Sequence, residues 1–268
     1  MKRKAKHLSM ITITSKSGSV DLVKERGIHV ALRGVEEFLS YPPTKKPTTI
    51  DWYEMDGVEV DLSELYLDKR VVKIPLTTGD LDALTKLASD LKKWQVMEIT
   101  HHTGISRKVY FESATLDKPK FTLDCRFIEF APKAPGGATP KPISGDFGEQ
   151  PTIDGKPITE FGFLLLKSDV DNVTKAKSGT TIATKFDDGI TYLERTTPRF
   201  ATRKAVMKLF SSGPNCIENY KALVRYLLKQ KECTLNATHK CYLNQAKIER
   251  YHQPNDPYIV MNLELQLI

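Results

Sequence analysis

Two stretches of the chain carry the same succession of hydrophobic and polar patterns. In each stretch, an alternating apolar run is followed by a break that contains glycine, then by a helical pattern and three strand-like runs. The first stretch covers residues 70–130 and the second covers residues 204–268. This order predicts two similar units, each with one helix and a body of mainly antiparallel β-strands.

The helical patterns fix the alignment of the two stretches. Apolar residues at i, i+3, i+4 and i+7 indicate a helix that places one stripe on a core. These residues are Leu84, Leu87, Ala88 and Leu91 in the first stretch and Tyr220, Leu223, Val224 and Leu227 in the second. Leu84 therefore aligns with Tyr220, whereas further along Tyr110 aligns with Tyr242. The change of spacing predicts a β-hairpin four residues shorter in the second stretch.

The similarity extends upstream, where Gly27 aligns with Gly162 in two short apolar segments. We predict a strand within residues 20–32, in which Gly27 marks a bulge or a close backbone approach. Long polar loops are predicted over residues 33–50 and 167–188. Tandem duplication explains these ordered matches, and the alternative is two unrelated α+β units that share a generic strand–helix–strand pattern.

A segment rich in proline and glycine divides the chain. It has almost no apolar residues and so cannot bury enough surface to fold alone. The predicted organisation is a basic flexible arm at 1–9, a first β-rich domain at 10–131, a linker at 132–151 and a second β-rich domain at 152–268. The predicted fold class is α+β, mainly antiparallel β, with two similar β-sandwich or barrel domains that are each flanked by one helix.

Length and composition are consistent with this organisation. A chain of 268 residues with 40% hydrophobic residues can bury two cores of ordinary domain size. Its apolar runs are far shorter than the ~20 residues that cross a bilayer. The basic N-terminus lacks the apolar segment of a secretory signal, so we expect synthesis in the cytoplasm and no membrane partner.

The four cysteines contain no Cys-x-x-Cys pair. Cys125, Cys233 and Cys241 stand where the alternation requires strand or core residues, which predicts small, reduced side chains in a core. A disulfide between Cys233 and Cys241 across their hairpin is the alternative.

Candidate chemical groups do not assemble into a site. His101, His102 and His239 have no cysteine or carboxylate around them at ligand spacing, whereas a metal site needs three or four converging ligands, and we interpret them as residues of solvent-exposed turns. Adjacent carboxylates at 36–37 and 187–188 would point to opposite faces of a strand. Nucleophile-elbow, P-loop and dinucleotide motifs are missing from the sequence. We expect no enzyme activity, no catalytic residues, no metal and no cofactor.

The net charge of +7 permits attraction to a polyanion. The densest combination of cations with an aromatic side chain lies in one segment, formed by Arg195, Arg199, Phe200, Arg203 and Lys204. Such a cluster can bind phosphates and stack a base, which makes a nucleic-acid-binding module the alternative function. A solvated strand and turn is the simpler interpretation.

The second unit opens on Ile153-Asp154-Gly155 and continues through Phe161-Gly162-Phe163. Together with the long loop, the β-rich body, the single helix and the terminal alternating strand, this opening resembles phage tail proteins of the distal-tail and tail-tube type. The resemblance implies a structural protein of a phage or prophage tail that assembles into a ring and docks other tail proteins. It also implies that the long loops contact neighbouring subunits, and the candidate contact residues are Lys45, Lys46, Lys175 and Lys177.

The duplication gives this resemblance a consequence for assembly. Tail-hub proteins of this kind can carry two tube-like domains in a chain, so that three chains present six similar domains. A chain with one ring-forming domain would form a hexamer instead. The expected partners are thus copies of this chain and other tail proteins, and the expected location is the virion tail. The basic net charge departs from the pattern of this family, in which the tube lumens tend to be acidic, and it argues against a role in lining the lumen.

Overall fold

The computed structural model describes residues 11–31, 34–50, 59–169, 181–183, 190–192, 204–253 and 256–268. Within these residues the first half of the chain contains nine strands and three helices, which have the following bounds. They are β1 (Ile11–Ser15), β2 (Gly18–Asp21), α1 (Leu22–Arg26), β3 (His29–Val30), α2 (Gly34–Leu39), β4 (Thr48–Ile50), β5 (Glu59–Asp61), β6 (Arg70–Thr77), α3 (Leu81–Trp94), β7 (Val96–His101), β8 (Ser106–Asp117) and β9 (Thr122–Glu129).

The second half repeats this succession of strands and its long helix, with a short 3-10 helix (Ile158–Phe161) in the place of α1. Its other described elements are β10 (Thr152–Ile153), β11 (Lys156–Pro157), β12 (Leu164–Ser168), β13 (Thr181–Ala183), β14 (Ile190–Tyr192), β15 (Lys204–Ser212), α4 (Cys216–Gln230), β16 (Cys233–Leu235), β17 (His239–His252) and β18 (Tyr258–Leu267).

Each half builds one seven-stranded sheet, and the two sheets have the same strand order. The first sheet runs β2-β1-β7-β8-β9-β6-β3, and the second runs β11-β10-β16-β17-β18-β15-β12. Each half also has a separate two-stranded ribbon, β4–β5 or β13–β14, in the same place along the chain. Neighbouring strands pair antiparallel throughout these sheets. The predicted α+β class with mainly antiparallel strands is confirmed.

The predicted alignment of the halves is confirmed by strand register. Met97 faces Val109 in the first hairpin, whereas Cys233 faces Cys241 in the second, so the second hairpin is four residues shorter. All four cysteines are free and buried, which confirms the prediction of reduced core residues at Cys125, Cys233 and Cys241.

The long helices form where the apolar stripes predicted them. The Asp80 carboxylate accepts the N–H groups of Asp82 and Ala83 and so caps the start of α3. Leu84, Leu87 and Leu91 are buried. The matching stripe of α4 is also buried, and the buried apolar residues of both halves form one connected cluster.

The prediction of a strand through Gly27 is wrong. Residues 22–26 form α1, and Gly27 ends it in the left-handed conformation with φ of 61°. Its N–H donates to the carbonyl of Val23 at 3.0 Å. Gly162 ends the 3-10 helix in the same way with φ of 79°, so both glycines are left-handed C-caps of a short helix.

The prediction of one long exposed loop over residues 33–50 is also wrong in its first part. Residues 34–44, which we call the junction segment, contain α2 and a buried extended stretch. Only the following residues, from Lys45 to Ile50, are largely exposed.

The predicted linker at 132–151 has no helix or strand, and it lies against the second half. The N–H of Lys141 donates to the side-chain oxygen of Asn219 on α4 at 2.7 Å, and that of Ile143 donates to the carbonyl of Thr159 at 3.0 Å. The division into domains at 10–131 and 152–268 stays a prediction.

Candidate functional site at the junction of the two sheets

The junction segment connects the two sheets. Its helix α2 packs against β6 of the first sheet and β17 of the second. Val35, Phe38 and Leu39 are buried there. Because this short helix is apolar on the faces that meet both sheets, its stability depends on packing rather than on helix propensity.

Two arginines bind the carboxyl end of α2. The guanidinium of Arg107 donates to the carbonyls of Phe38 (3.2 Å), Leu39 (3.0 Å) and Ser40 (2.7 Å). That of Arg70 donates to the carbonyls of Glu37 (3.0 Å) and Ser40 (2.6 Å). Cations at this end also oppose the partial negative charge of the helix dipole.

Glu129 holds both guanidinium groups in place. One carboxylate oxygen accepts from Arg70 at 2.9 Å, and the other accepts from Arg107 at 3.3 Å. The side chains of Arg107 and Glu129 are each 1% exposed. Burial and the neighbouring Arg107 both lower the pKa of Arg70. A buried cluster of this kind is stable only while every charge keeps its partners.

The extended part of the junction segment bonds to the irregular part of β17. The hydroxyl of Ser40 accepts the N–H of Ile248 at 2.9 Å. Thr44 donates its hydroxyl to the carbonyl of Leu243 at 2.7 Å and its N–H to that of Asn244 at 2.9 Å. Strand β17 has register shifts at residues 243–245 and 248–250, close to these contacts.

Tyr220 adds a buried polar contact between the halves. Its hydroxyl accepts the N–H of Tyr41 at 2.8 Å and donates to the carbonyl of Ala246 at 2.8 Å. The guanidinium carbon of Arg107 lies 4.3 Å from the centre of the Tyr41 ring, in the geometry of a cation–π contact. Burial raises the pKa of both tyrosines.

The histidine turn also lies between the halves. The prediction that His101 is solvent-exposed is wrong, because its side chain is buried. This burial, and to a smaller extent the charge of His102, lowers the pKa of His101 to about 3. His102 is exposed, and its Nε2 donates to the side-chain oxygen of Gln253 at 2.7 Å. Lys221 on α4 donates to the carbonyl of Thr103 at 2.8 Å.

A cleft of about 850 Å³ opens beside the junction segment. The lining includes Glu36, Glu37 and Arg70 on one side and Lys247 and Arg250 on the other. The two glutamates lie on helix α2, so the strand assumed for them is wrong. His239, in the other hairpin, opens β17. In the described ranges no three His, Cys, Asp or Glu side chains cluster as metal ligands would.

The candidate contact lysines fall into two groups. Lys45 and Lys46 are exposed at the start of the ribbon that contains β4. Lys45 donates to the hydroxyl of Tyr66 at 3.1 Å and lies 5.2 Å from the centre of that ring. Lys175 and Lys177 lie outside the described residues.

The candidate nucleic-acid segment is described only at its end. Arg195, Arg199, Phe200 and Arg203 lie outside the described residues, as do the paired carboxylates at 187–188. Lys204 begins β15, and its ammonium group lies 3.3 Å from the carboxylate of Glu264.

Sequence reasoning missed the junction segment and its arginines, although one signal was present. On β8 the residues that alternate inward include Arg107 beside Val109, and on β9 they include Glu129 beside Phe127. Opposite charges in the buried phase of two neighbouring strands indicate a buried ion pair.

Among the helices formed by the described residues, none combines the length and the apolar character of a membrane span. No protein-family model matches the chain. No curated protein matches it. Among solved structures, the chain aligns with the Dit protein of phage SPP1, described as a paradigm of the hub adsorption apparatus in phages that infect Gram-positive bacteria. The alignment covers 96% of this chain and 98% of that chain, with 10% identity and a TM-score of 0.28. A TM-score this low supports no conclusion about function.

Proposed function

We propose that this chain is a non-enzymatic structural subunit of a phage or prophage tail, which acts by assembling into a ring and docking other tail proteins. The observation that carries the proposal is the repeat of one seven-stranded sheet, with the same strand order and the same helix position, in both halves of the chain. Two similar units in one chain suit a role in which a surface is presented repeatedly around an axis.

The junction segment supplies the rigidity that such a role needs. A closed ring forms from head-to-tail contacts only if each subunit adds the same rotation. The buried cluster of Arg70, Arg107 and Glu129 connects α2 to the first sheet, while Ser40 and Thr44 connect the same segment to the second. The two units are therefore held at one angle, and three chains would present six similar units.

The opening of the second unit is consistent with the resemblance to tail proteins. Asp154 and Gly155 form the tight turn between β10 and β11, with φ of 53° and 74°. The Asp154 carboxylate accepts the hydroxyl of Tyr226 at 2.8 Å and the N–H of Thr234 at 2.7 Å. The residues that suggested the family thus attach the first strand of the unit to α4 and to β16.

We infer that the intersubunit contacts involve the exposed ribbon β4–β5 with Lys45 and Lys46, and the corresponding part of the second half, where Lys175 and Lys177 precede the ribbon β13–β14 in the sequence. The ribbons occupy the same place in the two halves, and neither belongs to a seven-stranded sheet. They can therefore contact a neighbour without disturbing the sheets.

Negative-stain imaging tests this proposal. The wild-type chain should form rings of three or six subunits, and a Lys45→Glu/Lys46→Glu variant should not. A Lys92→Glu/Lys93→Glu variant makes the same change of charge on the exposed end of α3 and should form rings like the wild type. Rings from all three proteins would disprove the assignment of the contact to the ribbon. Wild-type protein without rings at any concentration would disprove the function.

A further inference from the structure

The outer face of the first sheet carries a row of exposed apolar side chains. Val96 faces Tyr110, Tyr110 faces Ile128, and Ile128 faces Val71, so the row crosses β7, β8, β9 and β6. Val96, Tyr110 and Val71 are 42%, 41% and 39% exposed, and Ile128 is partly exposed. At a strand spacing of about 4.8 Å, the row is about 14 Å long.

One further aromatic residue extends this row into a patch. Phe130 follows β9 on the same face and is 42% exposed. Single apolar residues on a surface are ordinary, whereas contiguous ones mark a site of interaction. We call these five residues the apolar row patch.

The fold does not require apolar residues at these positions. In the second sheet, register places Lys204, Gln266 and Tyr242 where the first has Val71, Ile128 and Tyr110. Lys204 forms an ion pair there, and Tyr242 is buried. The same topology therefore folds with polar residues at two of these positions and a buried tyrosine at the third, and the exposed apolar row is particular to the first sheet.

The charges around the apolar row patch indicate what it binds. Lys73 and Lys108 stand two residues from Val71 and Tyr110 on the same strands and are exposed. On the same face, the carboxylate of Glu112 binds Arg126. Glu98 stands opposite Lys108 in the strand register, and its carboxylate accepts the hydroxyl of Ser106. In the described part of the chain, neither lysine has a carboxylate partner, and the ammonium group of Lys108 lies 5.7 Å from the centre of the Phe130 ring.

We propose that the apolar row patch is a docking site for a second protein, whose contacting segment carries apolar side chains flanked by carboxylates. Complementary charge favours such a partner and fixes its orientation. A second copy of this chain fits poorly, because a symmetric contact would bring Lys73 and Lys108 of the two copies together. This surface is separate from the ribbons and does not depend on the proposed ring.

A displayed library of random 12-residue peptides tests the proposal. The library is selected on the wild-type chain and counter-selected on a Val71→Thr/Tyr110→Thr variant, which changes only exposed side chains. Peptides that combine Leu, Ile or Phe with Asp or Glu should be enriched. Synthesised singly, they should bind the variant at least ten-fold more weakly than the wild type.

Two further variants distinguish the contribution of charge from non-specific hydrophobic binding. Lys73→Glu/Lys108→Glu should weaken the same peptides at least ten-fold. Leu166→Thr alters a side chain that is 55% exposed on the second sheet and should leave binding unchanged. The proposal is overturned if no peptides are enriched, or if the enriched peptides lack acidic residues. It is also overturned if the peptides bind the Val71→Thr/Tyr110→Thr variant as tightly as the wild type, or if the wild type associates with itself and that variant does not. The Val71→Thr/Tyr110→Thr variant should form rings like the wild type. Loss of peptide binding and loss of ring formation are therefore separate results, and one proposal can fail without the other.

Discussion

The hydroxyl of Tyr220 lies 2.8 Å from the backbone nitrogen of Tyr41, although the two residues belong to different halves of the chain. The same hydroxyl donates to the carbonyl of Ala246. One buried oxygen thus serves a donor from the junction segment and an acceptor from β17.

Replacement of Tyr220 by phenylalanine should destabilise the protein by about 1–3 kcal/mol, because a buried N–H and a buried carbonyl both lose their partner. Urea unfolding measures the effect. Tyr226→Phe removes a hydroxyl whose partner, Asp154, is exposed, and it should cost less than about 1 kcal/mol. Equal losses for the two variants would show that the buried contact between the halves contributes no more to the free energy of unfolding than an exposed hydrogen bond does.

Arg107→Met should cost about 3–5 kcal/mol, since it leaves Glu129 buried with one cation and removes the arginine donors of the Phe38 and Leu39 carbonyls. The matched control is Arg126→Met, which breaks the exposed pair with Glu112 and should cost less than about 1 kcal/mol. Thermal or urea unfolding of both variants decides the question. If Arg107→Met is as mild as the control, then the buried cluster does not hold the junction.

Gly162→Ala should be more damaging than Gly155→Ala. Both glycines have positive φ, which costs an alanine about 1 kcal/mol. At Gly162 the added methyl would also lie 2.6 Å from the carbonyl oxygen of Lys141 and would clash with the Asn219 side chain, whereas at Gly155 nothing lies within 4 Å. We expect losses of about 2–4 kcal/mol and about 1 kcal/mol, respectively, in urea unfolding. Equal losses would mean that the linker does not contact α4 as described.

His101 should make stability depend on pH. Burial lowers its pKa from 6.5 to about 3, so the unfolded chain takes up the proton first as the pH falls. Stability is therefore greatest above pH 6.5 and declines by up to about 1.4 kcal/mol per pH unit below it, or about 2 kcal/mol between pH 6.5 and pH 5. The free energy of unfolding should be measured at both pH values. Between them it should fall by about 2 kcal/mol less in His101→Gln than in the wild type, whereas His239→Gln should show the same fall as the wild type. An unchanged decline in His101→Gln would refute the assignment.

Periodicity predicted what depends on a residue and its near neighbours. The stripes of Leu84 and Tyr220 located both long helices, and the changed spacing up to Tyr110 and Tyr242 gave the relative hairpin lengths. These features follow from the periods of helices and strands, which a single sequence displays.

The junction could not be predicted in the same way. Helix α2 has six residues, too few to show a helical period, and it is stabilised by Arg70 and Arg107, which are distant in sequence. Helix α1 has five residues and shows no apolar stripe, so the pattern around Gly27 does not distinguish it from a strand. The role of Gly27 as a cap becomes visible only with its left-handed backbone. Short elements depend on tertiary contacts that local patterns do not contain.

The proposed ring makes a direct prediction about the mass of the protein in solution. Light scattering on the purified wild-type chain, over a dilution series, should give three or six times the chain mass of 30.3 kDa. A mass of one chain at every concentration would contradict the account of this protein as a ring-forming subunit.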